Sequence, residues 1–156
     1  MTSPPRSWLA TAPDGTLDGL LSVRPELAAL HEPFAATVWE DRLVDPVVLE
    51  LCRVRIAQLH GDAAEAARRT PEGLAAGCGG ELFEALPRWP ADPAFTAVQR
   101  AALAVAEQFV VDAHGVTDEQ VAELVDHLGA GATVAFTAAV GLFDGFTRFR
   151  RVLQEE

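Results

Sequence analysis

The stretch from Asp45 to Gly61, DPVVLELCRVRIAQLHG, leaves this chain few ways to fold. Asp45 supplies a side-chain acceptor at a helix start, and Pro46 supplies a φ already suited to the first helical position. From there to Leu59, apolar residues fall on almost every side of a 3.6-residue repeat, so little of the helix is suited to solvent. Such a helix is stable at the centre of a domain, with other helices packed round it. Gly61 then provides a break, and Asp62 can cap a second helix whose first turn carries Glu65.

The remaining segments supply the neighbours. PELAALHEPFAATVWED, from Pro25, places Leu27, Leu30, Phe34 and Val38 at spacings of three and four, one apolar face, with Pro33 expected to break or kink the helix. TPEGLAAGCGG reads as a loop or a weak short helix, and a short helix around Glu81 to Leu86 leads into an irregular, Pro-rich connection. Phe95 to Ala113 is a long Ala-rich helix that ends near His114 and Gly115. Thr117 and Gln120 form a capping box for the next one, and Gly129 to Gly131 separates it from the last, TVAFTAAVGLFDGFTRFRRVL. Residues 1–24, rich in Pro, Gly, Ser and Thr, read as an N-terminal arm with Trp8 and Leu9 as its candidate anchors. Residues 25–156 read as one helical domain. No strand-type alternation persists, and the expected class is an all-α, single-domain bundle without internal repeats.

Composition narrows the function classes. A chain of 156 residues is long enough for one domain with a real core. Its formal charge of -11, with 12 basic residues that are all Arg, argues against a surface that tracks phosphates, so no nucleic-acid partner is expected. The 49% hydrophobic content and mean hydropathy of +0.14 suit packed helices and subunits that hide an apolar face in a homo-oligomer. No run approaches the ~20 apolar residues that span a bilayer, and the first residues lack a signal-type apolar stretch, so no membrane association and a cytoplasmic location are expected. Cys52 and Cys78 fit neither a disulfide framework nor a CxxC pattern. Cys52 reads as packing in the apolar helix. Cys78, among glycines, reads as an incidental loop thiol or as an exposed reactive one. His31, His114 and His127 have no spaced His or Cys partner, and no metal site is expected.

Four residues around the central helix are candidates for acid–base chemistry. Glu50 lies on the apolar helix, where its carboxylate must either pair with Arg53 at i+3 or face a pocket that perturbs it. Asp62 and Glu65, at i and i+3, are either an acid/base pair facing a pocket or an N-cap followed by a Glu65–Arg69 pair. His60 ends the buried helix, where it is either stabilised by the helix dipole or available as a general base. Arg148 in the last helix is suited to a substrate carboxylate or to a salt bridge between subunits.

The same stretch resembles the carboxymuconolactone decarboxylase and alkyl hydroperoxidase D-like superfamily. Members read E-L-x-x-L-R-x-A-x-x-x-G, and in the redox branch C-x-x-C-x-x-x-H follows directly. Glu50, Leu51, Arg55, Ala57 and Gly61 match, but Asp62, Glu65 and Arg69 stand where the Cys, Cys and His would be. The pieces Leu43 to Pro46, Phe95 to Glu107 and Ala139 to Phe149 also look like their family counterparts, so the resemblance covers roughly Pro25 to Leu153. It implies an alkyl hydroperoxidase D-type helical fold, a homo-oligomer (a trimer or hexamer), and a pocket between helices or at subunit contacts. In redox members the Glu matching Glu50 belongs to the relay that activates the Cys pair. Without thiols at Asp62 and Glu65, peroxidase chemistry is not expected. Lactone decarboxylases of the superfamily use no cofactor and often carry Glu where this chain has Glu65, followed by His where it has Arg69. The resemblance therefore implies either cofactor-free decarboxylation or isomerisation of a small lactone or enolisable acid by Glu50, Glu65, His60 and Asp62, or a catalytically silent member that binds a small molecule or serves assembly.

Overall fold

The helix that begins at Asp45 is the axis of the molecule. The computed structural model describes residues 7–12, 14–40 and 44–154; the side chain of Glu40, residues 1–6 of the arm, and Leu43 of the Leu43–Pro46 match lie outside it. The helices are α1 (Leu17–Leu21), α2 (Pro25–Glu40), α3 (Pro46–Leu59), α4 (Ala63–Ala67), α5 (Pro71–Ala75), α6 (Gly80–Ala85), α7 (Ala97–Asp112), α8 (Asp118–Leu128) and α9 (Ala130–Leu153). In α3 every residue from Val48 to Val54 is buried, with Ile56 and Ala57. The Asp45 side chain accepts from Val47 N at 2.8 Å, the N-cap expected of Asp-Pro.

Packing round α3 follows side-chain size. Ala101, Ala102 and Ala106 give α7 a small-residue face that lets it lie close along α3, while Leu103 fills the core beside them. Phe136, Ala139 and Val140 of α9 close the next side, and Leu124 of α8 fills the space between α7 and α9. Both capping boxes, Thr96 with Gln99 and Thr117 with Gln120, are formed. The described residues contain helices and turns and no strand beyond isolated bridge residues, Ser7 paired with Gln154 among them, so the molecule is all-α.

Four sequence expectations are corrected. Pro33 does not break α2: it and Ala29, whose carbonyl would have received its missing N–H, are both exposed, so the lost bond faces solvent. The α2 stripe of Leu27, Leu30 and Phe34 is not a core face; it points outward, and Ala35, Val38 and Trp39 make the inward contacts. The arm is held by Leu20 and Leu21 of α1, both buried, and by Trp8 N bonding Leu153 O at 2.9 Å, while the Trp8 side chain is exposed. Finally, α9 has 24 residues and a window of mean hydropathy 1.3, which by length and composition alone is enough to cross a bilayer. Scattered polar residues hide this in the sequence. The helix also packs on α3 and α8 and carries ion-paired Asp144, Arg148 and Arg150.

Candidate functional site

Glu50 and Arg53 sit one turn apart on the buried part of α3, so the first question is where their charges go. The Glu50 carboxylate has no exposed surface and is held by Arg53 through Nε (2.9 Å) and Nη2 (2.8 Å). It also accepts from the Thr70 backbone N–H at 3.0 Å and the Thr70 hydroxyl at 2.9 Å. Burial pushes the Glu50 carboxyl up, but the Arg53 hydrogen bonds and charge, with the two bonds from Thr70, outweigh it and leave the group below the usual range.

Arg53 completes a five-bond arrangement. Nη1 donates to Glu65 O at 3.0 Å and Glu65 Oε1 at 2.6 Å, and Nη2 donates a second bond to Arg68 O at 2.6 Å. Every N–H of this guanidinium is therefore taken. The sequence motif thus welds α3 to α4 and to the chain between α4 and α5.

Asp62 and Glu65 follow from Gly61, whose φ of 69° turns the chain out of α3. Asp62 caps α4 through Oδ1, bonded to Glu65 N at 3.0 Å, and its Oδ2 receives Arg150 Nη2 at 2.8 Å. Glu65 is bridged by Arg53 and by Arg68, whose Nε and Nη2 lie at 2.9 and 2.6 Å. Burial raises the Glu65 carboxyl, and the hydrogen bond and charge of Arg68, with the charges of Arg53 and Arg150, bring it below its ordinary value. The expected Glu65–Arg69 pair is absent. Arg68 takes that place because α4 ends at Ala67 and Arg68 is already extended (φ -66°, ψ 143°), which carries Arg69 away. Arg69 lies over the Phe83 ring at 3.7 Å instead.

Beside this cluster is a cavity of about 600 Å³. Arg53, Asp62, Glu65, Arg68, Thr70 and Arg150 form its polar side. Ala35 and Trp39 of α2 with Phe143 and Phe146 of α9 form its apolar side, and Thr16 to Asp18 of the arm border it. His31 also lines it, its ring against Phe146 with centroids 4.3 Å apart. Glu50 does not line the cavity; Arg53 and Thr70, its partners, do. His60 is elsewhere. It caps α3, bonds Asp144 Oδ1 through Nε2 at 2.6 Å, and lines a smaller, adjoining cavity of about 180 Å³ that shares Asp62, Ala64, Thr147 and Gln154 with the larger one. Glu50, His60 and Glu65 therefore do not converge on one space. Arg148, half-exposed, clamps both Asp144 oxygens and Val110 O and borders neither cavity.

The sequence model of the carboxymuconolactone decarboxylase family matches residues 25–108, more than half of the chain. The chain belongs to that family. No curated protein gives a significant match. The matched span ends within α7, so it takes in the Glu50–Arg53–Glu65 cluster and stops short of α9, which supplies Arg150 and the aromatic wall.

The family's redox branch carries thiols where this chain has Asp62 and Glu65, and its own two thiols lie elsewhere. Cys52 is completely enclosed in α3, and burial drives its thiol far up. Cys78 is 4% exposed, not the open loop thiol considered from the sequence, because Gly77 (φ 82°) folds the chain back on α5. Burial, and then the Glu50 charge, push its thiol up to about 11.

Sequence reasoning passed over three residues of this site. Thr70 was signalled by Thr-Pro, an N-cap pair, and it does cap α5 through Gly73 N at 3.1 Å. Gly73 packs so closely on Glu50 that a Cβ there would lie 2.7 Å from Glu50 Cγ. Arg150 carried no local signal, since its role depends on bringing α9 beside α4.

Proposed function

We propose that this family member binds a small organic molecule in the larger cavity and has no thiol peroxidase activity. The observation that supports this best is the condition of the acids: Glu50, Asp62 and Glu65 are each engaged by a guanidinium, and Glu50 and Glu65 are held ionised below their usual range. Carboxylates in that state are weak proton acceptors near neutral pH and have no proton to donate. The cavity has the size and the mixed apolar and polar lining of small-molecule sites. Fragment screening by thermal shift tests the reading. Hits should be lost when the cavity is filled by Ala36→Phe, and a screen without any such hit would sink it. Organic hydroperoxide should not be consumed above the rate of a heat-treated control, and consumption abolished by Cys78→Ala would overturn the peroxidase half of the proposal.

A second reading, cofactor-free decarboxylation or isomerisation of a small lactone or enolisable acid, is favoured by the His60–Asp144 contact. A carboxylate bonded to one ring nitrogen orients an imidazole for proton transfer, and this one borders the smaller cavity. Turnover of a lactone that drops by about two orders of magnitude in His60→Gln would establish it. Assembly as a homo-oligomer, a trimer or hexamer, accompanies either reading and is supported by the exposed apolar stripe of α2.

A further inference from the structure

We propose that Arg150 is the ligand anchor of the larger cavity and that the ligand is a small monocarboxylate with a flat apolar body. The inference rests on the binding reading above and adds the chemical class.

The contrast between two guanidiniums carries the argument. Arg53 and Arg150 are both more than nine-tenths buried, at 3% and 8% exposure, and both line the cavity. Arg53 has all five of its N–H groups bonded. Arg150 uses Nη2 alone, to Asp62 at 2.8 Å, with Glu65 Oε2 too far at 3.9 Å for a hydrogen bond. Its Nε–H and both Nη1–H groups have no partner among the described residues. Among the described residues no sealed side-chain nitrogen or oxygen is without a partner, so these donors keep accessible surface on a residue that lines the cavity. Donors open to water are free for a ligand acceptor, and an ionised acceptor makes the stronger, charge-assisted bond to them.

The acceptor is specified by the surroundings. A carboxylate matches the planar fork of an arginine and makes charge-assisted bonds to it. Asp62 and Glu65, the acids nearest Arg150, are already compensated by Arg150 itself and by Arg53 and Arg68, so they do not repel a further anion as free charges would. Trp39 of α2 and, one and two turns before Arg150 on α9, Phe146 and Phe143 also line the cavity, and their rings suit a flat apolar body.

The test is calorimetric titration of the full chain with benzoate and with its neutral isostere benzamide. Benzoate should bind at least about tenfold tighter than benzamide. Arg150→Gln should erase that preference, Arg150→Lys should restore part of it, and Ala36→Phe should abolish binding of both. Equal affinity for the two probes in the wild type, a preference that survives Arg150→Gln, or no saturable benzoate binding at millimolar concentration overturns the assignment. Should Arg150→Gln fail to fold, as its melt and circular dichroism would reveal, the wild-type preference and Arg150→Lys decide. Equal binding of both probes, blocked by Ala36→Phe, would remove the carboxylate and leave the cavity reading standing; benzoate binding untouched by Ala36→Phe would remove both.

Discussion

Replacing Glu50 by Gln removes one charge from a carboxylate that accepts four hydrogen bonds, and it leaves Arg53 buried with half its compensation gone. Breaking a buried pair on one side costs about 3 kcal/mol, so Glu50→Gln should lower the melting temperature by roughly six to twelve degrees in a chain of this length. An unchanged melt would mean that the pair contributes nothing net. The pH dependence has a fixed sign. Because Glu50 and Glu65 titrate below their ordinary 4.5 when folded, their contribution is complete above that value and is lost as pH falls through the lower folded values. Melts recorded on descending pH should fall below about pH 4.5, with a shallower fall in Glu50→Gln. Gly73→Ala should produce a loss comparable to Glu50→Gln, since the added methyl meets a side chain pinned at both oxygens; a wild-type melt would show that Glu50 can shift freely. At this scale the sequence was half legible. Arg53 at i+3 was readable as the partner of Glu50, whereas the other three acceptors of Arg53 come from α4 and its end, at Glu65 and Arg68, whose path no local spacing determines.

Among the elements, α2 and α3 are opposites. The axial helix is buried on nearly every side, whereas no described side chain of α2 is fully buried, and α2 carries Pro33 in its middle and touches the rest of the molecule chiefly through α1 and α9. Hydrogen exchange should therefore find amides of α2 opening at a small fraction of the global free energy and those of α3 only on global unfolding. Pro33→Ala, which restores one helical bond, should slow exchange within α2 alone. Equal protection of the two helices would contradict this account. The α3 assignment was legible because an N-cap, a proline and an all-round apolar pattern agree. The inward face of α2 was not, because its large apolar residues, Leu27, Leu30 and Phe34, face solvent while small Ala35 and Ala36 face the cavity. Periodicity finds a stripe without saying what covers it.

For the whole molecule, that stripe is the feature to explain. Leu30 is 72% exposed and Phe34 52%, and with Leu27 they form a continuous apolar edge on a charged protein. Light scattering at micromolar concentration should give a multiple of the 16.6 kDa chain mass, and Leu30→Glu with Phe34→Glu should reduce it to one. A monomeric wild type would end the oligomer proposal. The family and the all-α class were legible because they depend on segment order, which the chain displays directly. The large cavity was not, since its walls are brought together from distant parts of the sequence.

That separation has a kinetic side. Gln154, at the end of α9, bonds Gly15 O at 2.7 Å across 139 residues of chain, and Ser7 pairs with it in a bridge. The cavity lies between these two ends. During synthesis α3 and its α7 partner are made before α9, so a nascent chain can pair these two helices early, while the part of the core that α9 supplies and the binding space come last. Closing so long a loop is slow relative to forming local helices. In refolding, recovery of ligand binding should therefore lag behind recovery of helical signal, and a ligand present during that interval would capture the finished molecule without speeding the pairing of α3 with α7.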